Sequence, residues 1–87
     1  MASVERVRSL ILRNLPDSQV YIKDPRKDGS HLHAIVVNPG FKGLSLIKQH
    51  QSVMNALKEE FRADLHALQL ETFTPEDWEK SKSQFGI

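Results

Sequence analysis

Apolar residues recur along this chain with two periods, and the switches between them mark out six elements. From Ser3 to Leu15 they fall at Val4, Val7, Ile11 and Leu15, with Leu10 alongside. That is the spacing of one helix face. Arg6, Arg8 and Arg13 take the other side, and Pro16-Asp17 stops the segment. Gln19 to Lys23 is a short β-prone run closed by Asp24-Pro25-Arg26-Lys27-Asp28-Gly29, which is turn and loop chemistry. A second strand is expected over Leu32–Val37, ended by Asn38-Pro39-Gly40, and the two strands suggest a hairpin.

The long helical pattern runs from about Leu44 to Phe61. Leu46, Ile47, His50, Val53, Met54, Leu57 and Phe61 form one stripe, with Lys48, Gln51, Asn55 and Lys58 off it. His66 to Phe73 returns to strand alternation, setting Leu68 and Leu70 against Gln69 and Glu71. A last helix opens at Thr74. Pro75 then takes the first helical position, where its missing N–H costs nothing. Glu76 and Asp77 complement the positive end of that helix, with Asp77 three residues after the cap in a weaker capping box. The order α-β-β-α-β-α predicts an α+β fold, with helices packed on one face of a three-stranded sheet.

Composition narrows the choice of function. Eighty-seven residues make one small domain, 1–87, which buries only about 60% of the surface its unfolded chain exposes. There is room for a thin core and none for a deep substrate cavity. Twelve basic residues against eleven acidic lack the excess expected of a protein held mainly by nucleic-acid phosphates. With no cysteine, a disulfide framework and a self-contained thiolate site are both excluded. No apolar run approaches the roughly 20 residues of a membrane span. The start, Met1-Ala2-Ser3-Val4-Glu5-Arg6, has no basic segment followed by an apolar one. A cytoplasmic chain, monomeric when alone and without a membrane partner, is the expectation.

Topology brings two histidines together. A helix between strands two and three is the crossover that joins parallel strands. Parallel neighbours start on the same edge of a sheet, about 4.8 Å apart. His31 immediately precedes the second strand and His66 opens the third, so both imidazoles can approach one site. A metal centre there that needs thiolate must take it from a partner. His33 competes with His31. If Leu32, Ala34 and Val36 face the helices, however, His33 points to the open face of the sheet as a surface residue. His50 lies on the apolar stripe and reads as a packed histidine with a satisfied ring N–H.

Four stretches in this order and spacing resemble the BolA family, in particular its short bacterial and organellar members. They are Asp28-Gly29-Ser30-His31, Phe41-Lys42-Gly43-Leu44-Ser45-Leu46, Gln49-His50-Gln51 with Val53, and His66-Ala67-Leu68 followed by Thr74-Pro75-Glu76-Asp77-Trp78. The resemblance covers nearly the whole chain. It implies a KH-like fold of the class II type, a monothiol glutaredoxin partner in a heterodimer, and a [2Fe–2S] cluster bridged between the two. Glutaredoxin cysteine and glutathione would supply thiolates. The family's histidine near the third strand carries over to His66, and its ligand from the loop before strand two carries over to His31. Imidazole replaces thiolate on one iron in Rieske centres and raises the potential. Such ligation is sensitive to pH, because the nitrogen must be free of its proton.

A second reading rests on Gly40-Phe41-Lys42-Gly43. KH domains clamp a nucleic-acid backbone with a GxxG loop, and this one stands after strand two and before the long helix. Gly40, Lys42 and Gly43, with Lys48, would make that contact. Phe41 can equally anchor the turn. Some BolA-like proteins are implicated in DNA binding, but the family commonly flanks the long-helix histidine with arginines where this chain has Gln49 and Gln51. An enzyme is not expected, since no cysteine nucleophile, phosphate-binding glycine motif or HExxH pair is present. Glu59 and Glu60 read as a solvated helix end. Trp78, Phe73 and Phe85 read as a packing cluster for the last helix.

Overall fold

The computed structural model describes residues 4–27, 31–63, 65 and 67–86. Helix α1 spans Val4–Asn14, and strands β1 and β2 span Gln19–Lys23 and His31–Val37. A 3-10 turn follows at Pro39–Phe41. Helices α2 (Leu46–Ala56) and α3 (Lys58–Ala63), strand β3 (Ala67–Phe73), helix α4 (Pro75–Ser81) and a 3-10 turn at Lys82–Phe85 complete the order. The sheet runs β1-β2-β3. β1 pairs antiparallel with β2, and β2 pairs parallel with β3, so the hairpin and the parallel crossover expected from the sequence are both present. Among the described residues, no helix is long and apolar enough to cross a membrane.

The α+β class and the mixed three-stranded sheet agree with the sequence reading, but the layers differ in one respect. Leu32 and Val36 of β2 pack with Val7, Ile11, Phe41, Val53, Leu57 and Leu65, under α1 and α2. Ile35 and Val37 pack instead with Trp78 of α4, flanked by Tyr21, Phe73 and Phe85. Successive strand residues point to opposite faces, so α4 covers the face that was expected to be open. The reason is that β2 is apolar at both parities between Ala34 and Val37, and all four residues there are buried. A strand of that kind needs cover on both sides.

Three further expectations are corrected. The single long helix is interrupted at Leu57, whose φ of −105° and ψ of 8° leave the helical region. The Leu57 N–H turns to the Met54 carbonyl (3.1 Å). The break leaves Leu57 fully buried and restarts the chain as α3. Glu60 is not a solvated helix end: it is 4% exposed and ion-paired with the guanidinium of Arg6 on α1. β2 also begins at His31 itself rather than after it.

At the other end of α2, Ser45 caps the helix by accepting the Lys48 N–H (3.2 Å). Thr74 does the same for α4, accepting the Asp77 N–H (3.2 Å), with Pro75 in the first turn as anticipated.

Helix α2 is also turned about its axis relative to the apolar stripe. At about 100° per residue, Ile47 and Met54 lie on one margin of that stripe, and Gln49 lies just beyond the other. Val53 is fully buried, but Leu46, Ile47 and Met54 remain 60%, 70% and 38% exposed. Gln49 accounts for the rotation. Its Nε2 donates to the carbonyls of Leu44 (3.0 Å) and Phe41 (3.4 Å), and its Oε1 accepts from the Thr72 hydroxyl on β3 (2.7 Å).

Thr72 is 7% exposed, so removing its acceptor strands a buried donor. Gln49→Met should therefore cost about 1–3 kcal/mol in urea unfolding. Adding Thr72→Val should recover about half of that loss, because removing both polar partners costs less than orphaning one. A double variant as unstable as the two single losses summed would show that the hydroxyl is not the source of the cost.

Candidate histidine site at the start of the parallel strands

The register defines the geometry of the predicted metal site. His31 is the first residue of β2, half-buried, and its partner across the parallel pair is Ala67, the first residue of β3. His66 lies outside the described residues, as do Asp28, Gly29 and Ser30 of the loop before β2. Ala67, which follows His66 in the sequence, and His31 are the first residues of adjacent parallel strands. A neutral imidazole is a suitable donor for iron or zinc. Among the described residues, no three histidine, aspartate or glutamate side chains gather into a group able to hold a metal ion. Because the chain has no cysteine, a metal centre at this end that needs thiolate would have to take it from another molecule.

His33 is placed differently from the expectation. It shares the α4 face of β2 with Ile35 and Val37. Its Nε2–H donates to Glu71 Oε2 on β3 (2.8 Å), and Phe85 meets the ring edge-on at 6.3 Å between centroids. Lys23, its register partner on β1, donates to the Phe85 carbonyl (3.4 Å). The imidazole side chain is only 20% exposed and already ties β2 to β3, because α4 and the final turn cover what would have been an open surface. Glu71 was legible only as the polar half of an alternating strand. The parallel register, which pairs His33 with Gln69, puts Glu71 two residues further along the same face.

The second predicted site, Gly40–Gly43, is a tightly bonded turn. Asn38 is buried, its Nδ2 donating to Ser18 Oγ (2.8 Å) and its Oδ1 accepting the Gly40 N–H (2.6 Å). A side chain on Gly40 would meet that oxygen at 2.9 Å, and Gly43 adopts φ of +83°, so each glycine has a local reason. Phe41 is 2% exposed and anchors the turn in the α1–α2 core. The N–H groups of Phe41, Lys42 and Leu44 donate to the carbonyls of Asn38, Pro39 and Phe41 at 3.1, 3.3 and 3.0 Å. With Gly40 also bonded, most of the amides that could cradle a phosphate are already engaged. Lys42 and Lys48 are exposed. His50 is half-buried at the margin of α2, beside Leu46, Leu70 and Thr72, rather than in the core.

A family model described as BolA-like protein matches residues 13–77. The chain is 30% identical over 83 residues to acid stress protein IbaG of Escherichia coli, covering 93% of this chain and 94% of that protein. It is 38% identical over 53 residues to the DNA-binding transcriptional regulator BolA of Haemophilus influenzae. That match covers 61% of this chain and only 52% of that protein, so the chain spans about half the length of that relative. Among solved structures, a BolA homologue from Coxiella burnetii superposes with a TM-score of 0.78 at 34% identity, covering 91% of this chain and 99% of the other.

Proposed function

The chain belongs to the BolA-like family, and from that premise we propose that it is an accessory protein of iron–sulfur cluster maturation or iron regulation. In this reading it docks a monothiol glutaredoxin and contributes histidine nitrogen to a [2Fe–2S] cluster that the glutaredoxin cysteine and glutathione also hold. The observation that supports this reading is the pairing of His31 with Ala67, the residue after His66 in the sequence, as the first residues of two adjacent parallel strands. Because the chain has no cysteine, it requires a thiolate-bearing partner to complete such a site. When bound, the cluster would supply electron storage and transferable iron and sulfide. The protein's own task is to present neutral imidazole and to dock the partner around it. The reading needs no catalytic residue, in keeping with the regulatory and accessory character of the family.

The test is an anaerobic titration of cluster-loaded monothiol glutaredoxin with this protein, followed by visible circular dichroism. A new cluster spectrum should develop and saturate at one equivalent. His66→Ala should abolish it or change its form, and His31→Ala should weaken it. An unchanged spectrum with intact glutaredoxin would sink the shared-cluster reading.

A second reading keeps one specific support. A relative is a DNA-binding transcriptional regulator, and Lys42 and Lys48 stand exposed beside the Gly40–Gly43 turn. The internally bonded amides of that turn and the uncharged Gln49 and Gln51 weigh against a phosphate clamp. If DNA is nevertheless the ligand, Lys42→Ala should weaken labelled-oligonucleotide binding and reduce its salt dependence by about one phosphate contact.

A further inference from the structure

The large apolar residues that stay exposed are grouped in one place. Among the described residues they are Leu44, Leu46, Ile47 and Met54, all on α2 or just ahead of it. Leu46, Ile47, His50 and Met54 fall within one arc of about 100° on that helix. Lys48 stands about 160° from His50 on the same wheel, so the arc carries no lysine, arginine or carboxylate. Ile47 and Met54 are about 10.5 Å apart along the axis, which is two helical turns. Apolar residues grouped in this way mark an interaction site more often than residues scattered singly do.

A groove of about 250 Å³ adjoins this stripe. Leu46 and His50 of α2 line one wall, and Leu70, Glu71, Thr72 and Phe73 of β3 line the other. Its volume falls below the roughly 300–1,000 Å³ of small-molecule pockets and suits one side chain better than a free ligand. Thr72 is buried, and its hydroxyl is already bonded to Gln49. The β3 backbone is closed at that point, and recognition falls to side chains.

Glu71 decides which side chain fits. Among the described residues of the lining it is the only acidic one, and lysine and arginine are absent. Its Oε2 accepts the His33 Nε2–H (2.8 Å), which holds the carboxylate in place while its side chain stays 35% exposed. An ionised carboxylate has about four lone-pair sites, so the bond from His33 leaves capacity for a further donor. A mainly apolar groove with one carboxylate matches a side chain with an apolar stem and a cationic head. Arginine is the better match of the two that qualify, because its guanidinium is more weakly hydrated than an ammonium and loses less on entering.

We propose that the exposed stripe of α2 and this groove form a docking site for an amphipathic helix of a protein partner. Apolar residues of that helix, spaced over two turns, cover Ile47 and Met54. An arginine beyond them enters the groove along Leu46 and Leu70 and pairs with Glu71. The stripe supplies contact area, and Glu71 selects the sign of the incoming charge. The inference does not rest on the cluster reading, because none of these residues is a proposed ligand.

The experiment titrates the full chain, labelled with 15N, with a capped alanine-based helical peptide. The peptide carries a stripe of leucines at helical spacing and one arginine beyond the last of them. Companion peptides replace the arginine by norleucine or by glutamate. Amide shifts should saturate and centre on Leu46, Ile47, His50, Met54 and Glu71. The arginine peptide should bind about tenfold tighter than the glutamate peptide. Glu71→Gln, whose amide oxygen can still accept from His33, should remove that preference and leave the norleucine peptide unaffected. Ile47→Asn should weaken all three peptides by about tenfold.

Ile47 is exposed, so its variant should keep the amide spectrum of the folded chain, and Met54→Asn serves the same comparison if it does not. No saturable binding, tighter binding of the glutamate peptide, or a preference for arginine that survives Glu71→Gln overturns the proposal. So does tighter binding of a single-stranded oligonucleotide than of the arginine peptide. Shifts of the same amides on concentrating the protein without peptide overturn it too, since a second copy is then the occupant.

Discussion

Trp78→Ala should lower stability by about 3–5 kcal/mol, the largest single loss expected in this protein. Trp78 is 2% exposed and is the main apolar anchor of α4. It stacks on Tyr21 of β1 at 5.2 Å and on Phe85 at 5.8 Å, and leans on Phe73 at 5.3 Å. Below it lie Ile35 and Val37 of the central strand. Removing the indole opens a cavity that a helix of seven residues cannot close by shifting, because little else on that helix is apolar.

A domain of this size loses about 4–8 °C in Tm per kcal/mol, so the melting point should fall by roughly 12–40 °C. Far-UV circular dichroism is the proper probe, since Trp78 is the chain's only tryptophan and the variant has lost its fluorophore. Trp78→Phe keeps a ring against Tyr21 and should lose much less. A melting point unchanged by Trp78→Ala would mean that the α4 layer contributes little to holding the sheet.

The second large effect lies on the other face. Leu57→Ala should cost about 2–5 kcal/mol, because Leu57 is fully buried where α2 gives way to α3, in one core cluster with Val7, Ile11 and Val36. Its backbone has already left the helical region. The better helix propensity of alanine therefore gains little there, and the lost side chain dominates.

The two clusters are separated by the sheet and share no side chain. The milder pair Leu57→Val and Trp78→Phe should thus add to within about 0.5 kcal/mol. Urea unfolding of the two single variants and the double variant measures this. An interaction energy above that range would show that the two layers are coupled through β2. The two severe truncations combined should leave no folded protein at 25 °C, since their sum approaches the whole stability of an ordinary domain, about 5–15 kcal/mol.

The parallel pairing on which the histidine proposal rests was legible to the extent that topology is legible. A helix between two β-prone runs implied a parallel crossover, and a parallel crossover implied that the residues starting each strand share an end of the sheet. Nothing local to His31 or His66 said so. His33 shows the opposite limit. Its fate depended on whether the second face of β2 was covered, and Ile35 and Val37 were the signal, being as apolar as the residues on the first face. Glu60 carried no signal of burial, because its partner Arg6 stands 54 positions away. Gln49 looked like a missing charge, whereas in the folded chain it ties the Phe41–Leu44 turn and α2 to β3.

What the sequence determined by itself is local and periodic. Strand alternation, the 3.6-residue helical stripes, and the Thr74 cap with Pro75 behind it each depend on interactions within a few residues. The absence of cysteine likewise settled, without any structure, that this chain supplies no thiolate. The tertiary structure alone decided which side of each amphipathic element is buried. Helix α2 turns toward Gln49 and leaves Leu46 and Ile47 in solvent, and α4 crosses to the far face. Those outcomes follow from packing two layers against one narrow sheet. The pairing partner of each surface is distant along the chain, and periodicity cannot choose among apolar positions that lie side by side on one helix.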